Sequence, residues 1–145
     1  MSEAAIPKPR DEGQPGTLQG SLAQRRIVRF DPGHACLEYE VLPEMCHSGG
    51  VAQGGFVSGW IDAAMAHAVM AKHGFDRVPI SLELKVSFFA PANPGRVLAE
   101  GWIEKAGGRT IFAEGQLTTV DGKILAKASS TISLIDAAKV AAKMV

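Results

Sequence analysis

Two periodicities divide the chain. From Phe56 to Ala71 nearly every position is apolar or small, which predicts one helix buried on most sides. It reaches about His73, and Gly74 ends it. The pattern then changes to period two. In "ISLELKVSFFA" Ile80, Leu82, Leu84, Val86 and Phe88 fall on one face of a strand. "PANPG" breaks that strand, "RVLAEGWIEKA" forms the next, and Gly107-Gly108 turns the chain. "RTIFAEGQLTTV" and "KILAKASSTISLI" follow, joined at Asp121-Gly122, a strong hairpin signal. Before the helix, "RRIVRF" and "HACLEYEVL" read as two strands around "DPG", and residues 43–53 as a loop. "TLQGSLAQRR" predicts a short helix ahead of them.

One long apolar helix among about six antiparallel strands makes an α+β domain. A helix apolar on most sides needs cover all round, which a strongly curved sheet wrapped about it supplies. The domain is expected over 17–135, with a flexible polar, Pro/Gly-rich arm over 1–16 and a tail over 136–145 that frays as a helix.

Composition narrows the classes. The 145 residues suffice for one core, and 46% are hydrophobic. Formal net charge is zero with the charges scattered, which argues against a nucleic-acid footprint. Cys36 and Cys46 are too few for a metal framework and read as reduced thiols. No signal peptide is visible, and the Phe56–Ala71 run is shorter than a membrane span, so a cytoplasmic protein is expected.

Asp62 stands out, a carboxylate two turns inside the apolar helix, where the dipole effect has faded. Gly54 and Gly55 open that helix, where backbone N–H groups lack partners and can meet a developing oxyanion. Both roles have plain alternatives: a helix-entry turn for the glycines, a structural acid for Asp62. Asp62 is seven residues beyond Gly55, about 10 Å along the axis. The two ends meet on one carbonyl only if a second chain's helix runs antiparallel, which points to a two-fold dimer.

"GGVAQGGFVSGWIDAAMAHA" followed by "ISLELKVSFFAPANPG" resembles the hotdog-fold acyl-CoA thioesterases of the phenylacetate-pathway type, over roughly residues 20–135. Gly54, Gly55 and Asp62 match the family pattern. Ser81 matches its hydroxyl position, and Phe88, Pro91 and Gly95 match the end of the following strand. Gln53 stands where the family has His, and His47 where it has Asn or Gln. The resemblance implies a hotdog fold and hydrolysis of acyl-CoA thioesters, with no metal or other cofactor. It also implies self-association as a homodimer or a dimer of dimers.

On this reading the catalytic candidates are Asp62, Gly54, Gly55, Gln53, His47 and Ser81. Asp62 acts as base on water or as direct nucleophile. Gln53 also reads as a plain cap residue, and His47 and Ser81 as surface residues. Phe56, Trp60 and Met65 are candidates for an acyl pocket, with core packing as their other reading. Arg96, Lys105, Arg109 and Lys123 lie near strand ends or turns, with "GGRT" (Gly108, Arg109) the best local phosphate candidate. Two alternatives stand beside this reading. One is a non-catalytic acyl-CoA-binding hotdog protein. The other is an enoyl-CoA hydratase using Asp62 and His67, which a regular helix separates by about 140°.

Overall fold

The computed structural model describes residues 6–143. The elements are α1 (Leu18–Ser21), β1 (Gln24–Asp31), β2 (His34–Val41), β3 (Cys46–His47), β4 (Val51–Ala52), α2 (Gly54–His73), β5 (Arg77–Phe88), β6 (Gly95–Ala106), β7 (Thr110–Thr119), β8 (Ile124–Asp136) and α3 (Ala137–Lys143). Six strands form one antiparallel sheet in the order β1-β2-β6-β7-β8-β5, with β3 and β4 as a separate small hairpin. One long helix lies against this sheet, as the hotdog resemblance implies.

The contact between α2 and the sheet is unusually close at one cross-strand pair. Gly101 and Gly115 face each other on β6 and β7. A Cβ on Gly101 would sit 2.5 Å from the Met65 amide nitrogen, and one on Gly115 would sit 2.7 Å from Ile61 Cγ2. No side chain fits there, so the helix backbone rests on the sheet itself. Trp60, Ile61, Ala64, Met65 and Ala68 are fully buried around this contact. Trp60 also donates from Nε1 to Leu22 O (2.9 Å) and stacks on Tyr39 at a centroid distance of 6.1 Å. Burying a side chain of this size contributes about 2–3 kcal/mol.

All six strands of the sheet touch α2, and the wrap leaves one side of the helix open. Gly55 is exposed, and Ser58, Gly59, Asp62, Ala66 and Met70 are only half-buried, forming one open stripe along α2. Edge strand β5 lies beside that stripe, and Leu82, Leu84 and Phe88 on it are exposed at 64%, 38% and 56%.

Two local expectations change. Period two fails within β5, because Ser81 pairs with Ile132 but the next pair is Glu83 with Thr131, so the strand carries an extra residue at Leu82. Ser81 therefore shares a face with buried Ile132, Leu84 follows opposite buried Ser130, and Ile80 lies on the other face. The helix expected over "TLQGSLAQRR" is one turn only. Ala23 takes a positive φ of 57° and the chain enters β1 at Gln24.

Of the arm expected over 1–16, residues 1–5 lie outside the described residues. The rest is tied to β1: Gly13 N donates to Gln24 O (2.9 Å), and Asp11 Oδ1 accepts from Ile27 N (2.9 Å). In the tail, α3 ends at Lys143 and residues 144–145 lie outside the described residues.

Candidate active site

α2 starts at a capped and tethered entry. Gln53 is the N-cap, in extended conformation, and its Oε1 accepts from Gly55 N at 2.8 Å. A Cβ on Gly55 would stand 2.7 Å from that oxygen, so the glycine lets the cap close. Gln53 N donates to Met45 O (2.9 Å) and Ala52 N to Ala92 O (2.8 Å), which fix the β3–β4 hairpin beside the helix start. The Gly54 amide is left without an acceptor among the described residues.

That free amide lies in a groove of about 410 Å³. His47, Gly54, Val57, Phe88, Phe89 and Pro91 are among its lining residues. The Phe88 ring comes so near Gly54 that a Cβ there would lie 3.3 Å from Cζ. His47 is exposed on the hairpin, and its Nδ1 donates to Ser48 O (3.0 Å). The backbone thus gathers His47, Gly54 and Phe88 at one place. Sequence reasoning left out Val57, Phe89 and Pro91 as groove residues, although the strand-end match had marked Pro91.

Asp62 belongs to a separate place in the same chain. It is half-buried on the open stripe of α2, and Ser81 Oγ donates to its Oδ1 at 2.7 Å. The bulge at Leu82 sets Ser81 on the helix-facing side. Asp62 is absent from the groove around Gly54, in keeping with the axial separation of the two.

The other sequence candidates divide. Trp60 and Met65 are fully buried in the core and line none of this groove, so their position is one of packing. Phe56 is partly buried and packs against Trp60 at 6.1 Å. Arg96 is occupied by carboxylates. It pairs with Glu38 and, at 3.4 Å, with Glu40.

Arg109 has different company. With Arg77 and Lys139 it lines a cleft of about 270 Å³, which also includes Asp136. Arg77 holds the Gly107-Gly108 turn by donating to Gly108 O (3.4 Å), and it contacts His73 Nδ1 at 3.2 Å. Sequence reasoning missed Arg77 and Lys139. Only the pairing of Arg77 with Asp136, and the bond from Leu134 N to Arg109 O (2.8 Å), bring these distant positions together. The cleft adjoins the start of β5, four residues and therefore about 13 Å from Ser81.

His67 lies away from Asp62 around α2, and no irregularity interrupts the helix between them. Both cysteines are free, and burial together with the nearby Glu100 pushes the Cys36 thiol up to about 11. Among the described residues no three His, Cys, Asp or Glu side chains cluster as a metal site, and no helix is long and apolar enough to cross a membrane.

A model of the thioesterase superfamily matches residues 49–126, from the hairpin through β7 and into β8. No curated protein matches the chain. Among solved structures, a conserved protein from Pseudomonas aeruginosa, PA5202, is 26% identical with a TM-score of 0.75, over 82% of this chain and 94% of that one. A phenylacetic acid degradation-related protein from Ralstonia eutropha JMP134 is 25% identical with a TM-score of 0.76, over 83% and 92%. A Streptococcus mutans UA159 protein, smu.793, was solved bound to acetyl CoA. It shares the fold at 20% identity and a TM-score of 0.70, over 76% of this chain and 87% of that one.

Proposed function

The chain belongs to the thioesterase superfamily, and from that premise we propose that it hydrolyses acyl-CoA thioesters to a free acid and CoA. The observation that carries the reading is the Ser81–Asp62 bond, which holds a carboxylate by one oxygen on the open stripe of α2. The second Asp62 oxygen is left for water or for the thioester carbon.

The Gly54 N–H receives the thioester oxygen, and the partial positive charge of the helix start favours the anion that develops there. Gly55 does not share this task while Gln53 occupies its N–H. Asp62 comes from a second copy of the chain, related by a two-fold axis. It takes a proton from water as the water oxygen bonds to the carbonyl carbon, or bonds to that carbon itself and forms an anhydride that water opens. In either route the C–S bond breaks, and the CoA thiolate leaves and is protonated. The acyl group lies along Phe88, Phe89 and Val57. The phosphates meet Arg77, Arg109 and Lys139, whose distance along β5 leaves room for the extended arm of CoA. Neither route calls on a metal or another cofactor.

The Gln53 cap favours one other reading, an acyl-CoA-binding protein without turnover, since Gln53 stands at the family's His position and is engaged with backbone. Release of free thiol from a panel of acyl-CoAs separates the two. Hydrolysis by the wild type, lost in Asp62→Asn with the fold retained by circular dichroism, supports the enzyme. Saturable acyl-CoA binding without thiol release supports the binding protein, and wild-type turnover by Asp62→Asn removes Asp62 from the mechanism.

A further inference from the structure

The free N–H of Gly54 has one ring beside it. Leaving aside its chain neighbours and its own helix backbone, a Cβ on Gly54 would meet two atoms within 4 Å, Phe88 Cζ at 3.3 Å and Phe88 Cε1 at 3.5 Å. That Cβ position is about 2.5 Å from the Gly54 nitrogen, as the bond lengths and angles at Cα require. The ring edge therefore stands at most about 6 Å from the nitrogen. A carbonyl oxygen accepting from that N–H sits about 2.9 Å from the nitrogen, and the acyl α carbon follows two bonds on, at about 5 Å. Ring edge and α carbon thus share one narrow space, because Gly54 and Phe88 line the same groove.

Neither wall gives way easily. Phe88 pairs with Ala126 of β8, and the next two amides, Phe89 N and Ala90 N, both donate to Leu125 O (2.8 Å and 3.1 Å). The end of β5 is pinned there, so a substituent cannot push the Phe88 backbone aside. Val57, Ala52 and Ala92 also line the groove and are buried, which gives it a packed floor. An unbranched methylene passes between floor and ring. A second substituent on the α carbon meets one or the other.

We propose that Phe88 sets the acyl specificity of the site, admitting thioesters with a methylene next to the carbonyl and rejecting those branched at that carbon. The assignment rests on the hydrolase reading above and adds to it the shape of the acyl group.

The test is thiol release from a set of acyl-CoAs. Butyryl-CoA is unbranched, isobutyryl-CoA is branched at the α carbon, and isovaleryl-CoA carries its branch one carbon further out. Phenylacetyl-CoA and its α-methyl derivative repeat the comparison with a ring. Each kcat/KM is divided by the rate of hydroxide hydrolysis of the same thioester, which removes the intrinsic effect of branching. The wild type is expected to favour butyryl- over isobutyryl-CoA by about tenfold or more, the scale of one misplaced methyl group, and to treat isovaleryl-CoA like butyryl-CoA. Phe88→Ala is expected to bring isobutyryl-CoA to within about twofold of butyryl-CoA. Phe88→Leu keeps an apolar side chain on the edge strand and is expected to move the ratio in the same direction. Phe89→Ala is the control. The Phe89 ring does not come within 4 Å of the Gly54 Cβ position, so this variant should keep the wild-type ratio. Equal corrected rates for the α-branched and unbranched substrates in the wild type, a ratio that neither Phe88 variant moves, or an equal shift in Phe89→Ala overturns the assignment and leaves the hydrolase reading intact. No thiol release from any of the substrates overturns both.

Discussion

Ser81 Oγ donates to Asp62 Oδ1 at 2.7 Å, joining an edge strand to the open face of the central helix. The bond exists because β5 carries one residue too many. Without the extra residue at Leu82, the alternation that runs back from Leu84 and Phe88 would turn position 81 away from α2.

Ser81→Ala leaves Asp62 half-exposed, unoriented and charged. A hydrogen bond to a charged group contributes about 1.5–3 kcal/mol, so kcat for thioester hydrolysis should fall by about tenfold or more with little change in KM. Ser81→Thr should restore most of it. If the alanine variant matches wild-type kcat, the bond has no part in the reaction.

The helix and the strands were legible because their signals are local. Periodicity set α2 to within two residues of its start, and the Asp121-Gly122 turn joined β7 to β8. The bulge was not legible, because its cause lies in pairing with β8 and not in the composition of β5. Gly54, Gly55, Asp62 and Ser81 were singled out from spacing and resemblance, yet the engagement of Gly55 by Gln53 and the Ser81–Asp62 bond needed coordinates. Arg96 has partners that its own strand does not reveal. It looked like a free cation in sequence, but β2–β6 pairing sets Glu38 and Glu40 beside it.

Gly101 tests how the helix is seated. The nearest atoms to an added Cβ are the Met65 nitrogen at 2.5 Å and the Ala64 carbonyl carbon at 2.6 Å, both backbone. No rotamer change relieves that overlap, and α2 must lift from β6. Gly101→Ala should destabilise the fold by about 2–3 kcal/mol in urea unfolding. Gly108→Ala has nothing within 4 Å of its Cβ and is the matched control. Equal midpoints for the two variants would show that the helix is not seated as described.

Stability should fall as pH drops below about 6.5, the ordinary histidine value. Burial lowers the His67 pKa in the folded state. Between the folded and unfolded pKa values the unfolded chain therefore binds more protons, and stability rises with pH across that window. His73 acts in the same direction, through burial first and then the charges of Arg77 and Lys72. The lowered carboxylates Asp11 and Asp121 act only near and below 3.8, outside this window. Urea midpoints at pH 7.5 and 5.5 should differ less in His67→Phe than in the wild type, with His73 contributing to the slope that remains. An unchanged slope assigns the whole effect elsewhere.

The two halves of the proposed site can be tested apart. Gly54 is the first residue of α2, and Gln53 before it has φ −64° and ψ 139°, a conformation that a following proline accepts. Gly54→Pro therefore removes the free N–H while keeping the helix start, with only the Phe88 ring to adjust. Asp62→Asn removes the carboxylate. Each variant alone should lose most hydrolysis. Exposed Leu82, Leu84 and Phe88 on edge strand β5, beside the open stripe of α2, suit pairing with a second copy. When the two variants are mixed under subunit exchange, a mixed dimer holds one site with both defects and one with intact Gly54 and intact Asp62. Random exchange makes half the dimers mixed, so about a quarter of all sites, and of wild-type activity, should return. No recovery with exchange demonstrated, or full activity of the wild-type chain as a monomer at high dilution, would place Gly54 and Asp62 in one chain's site and end the shared-site model.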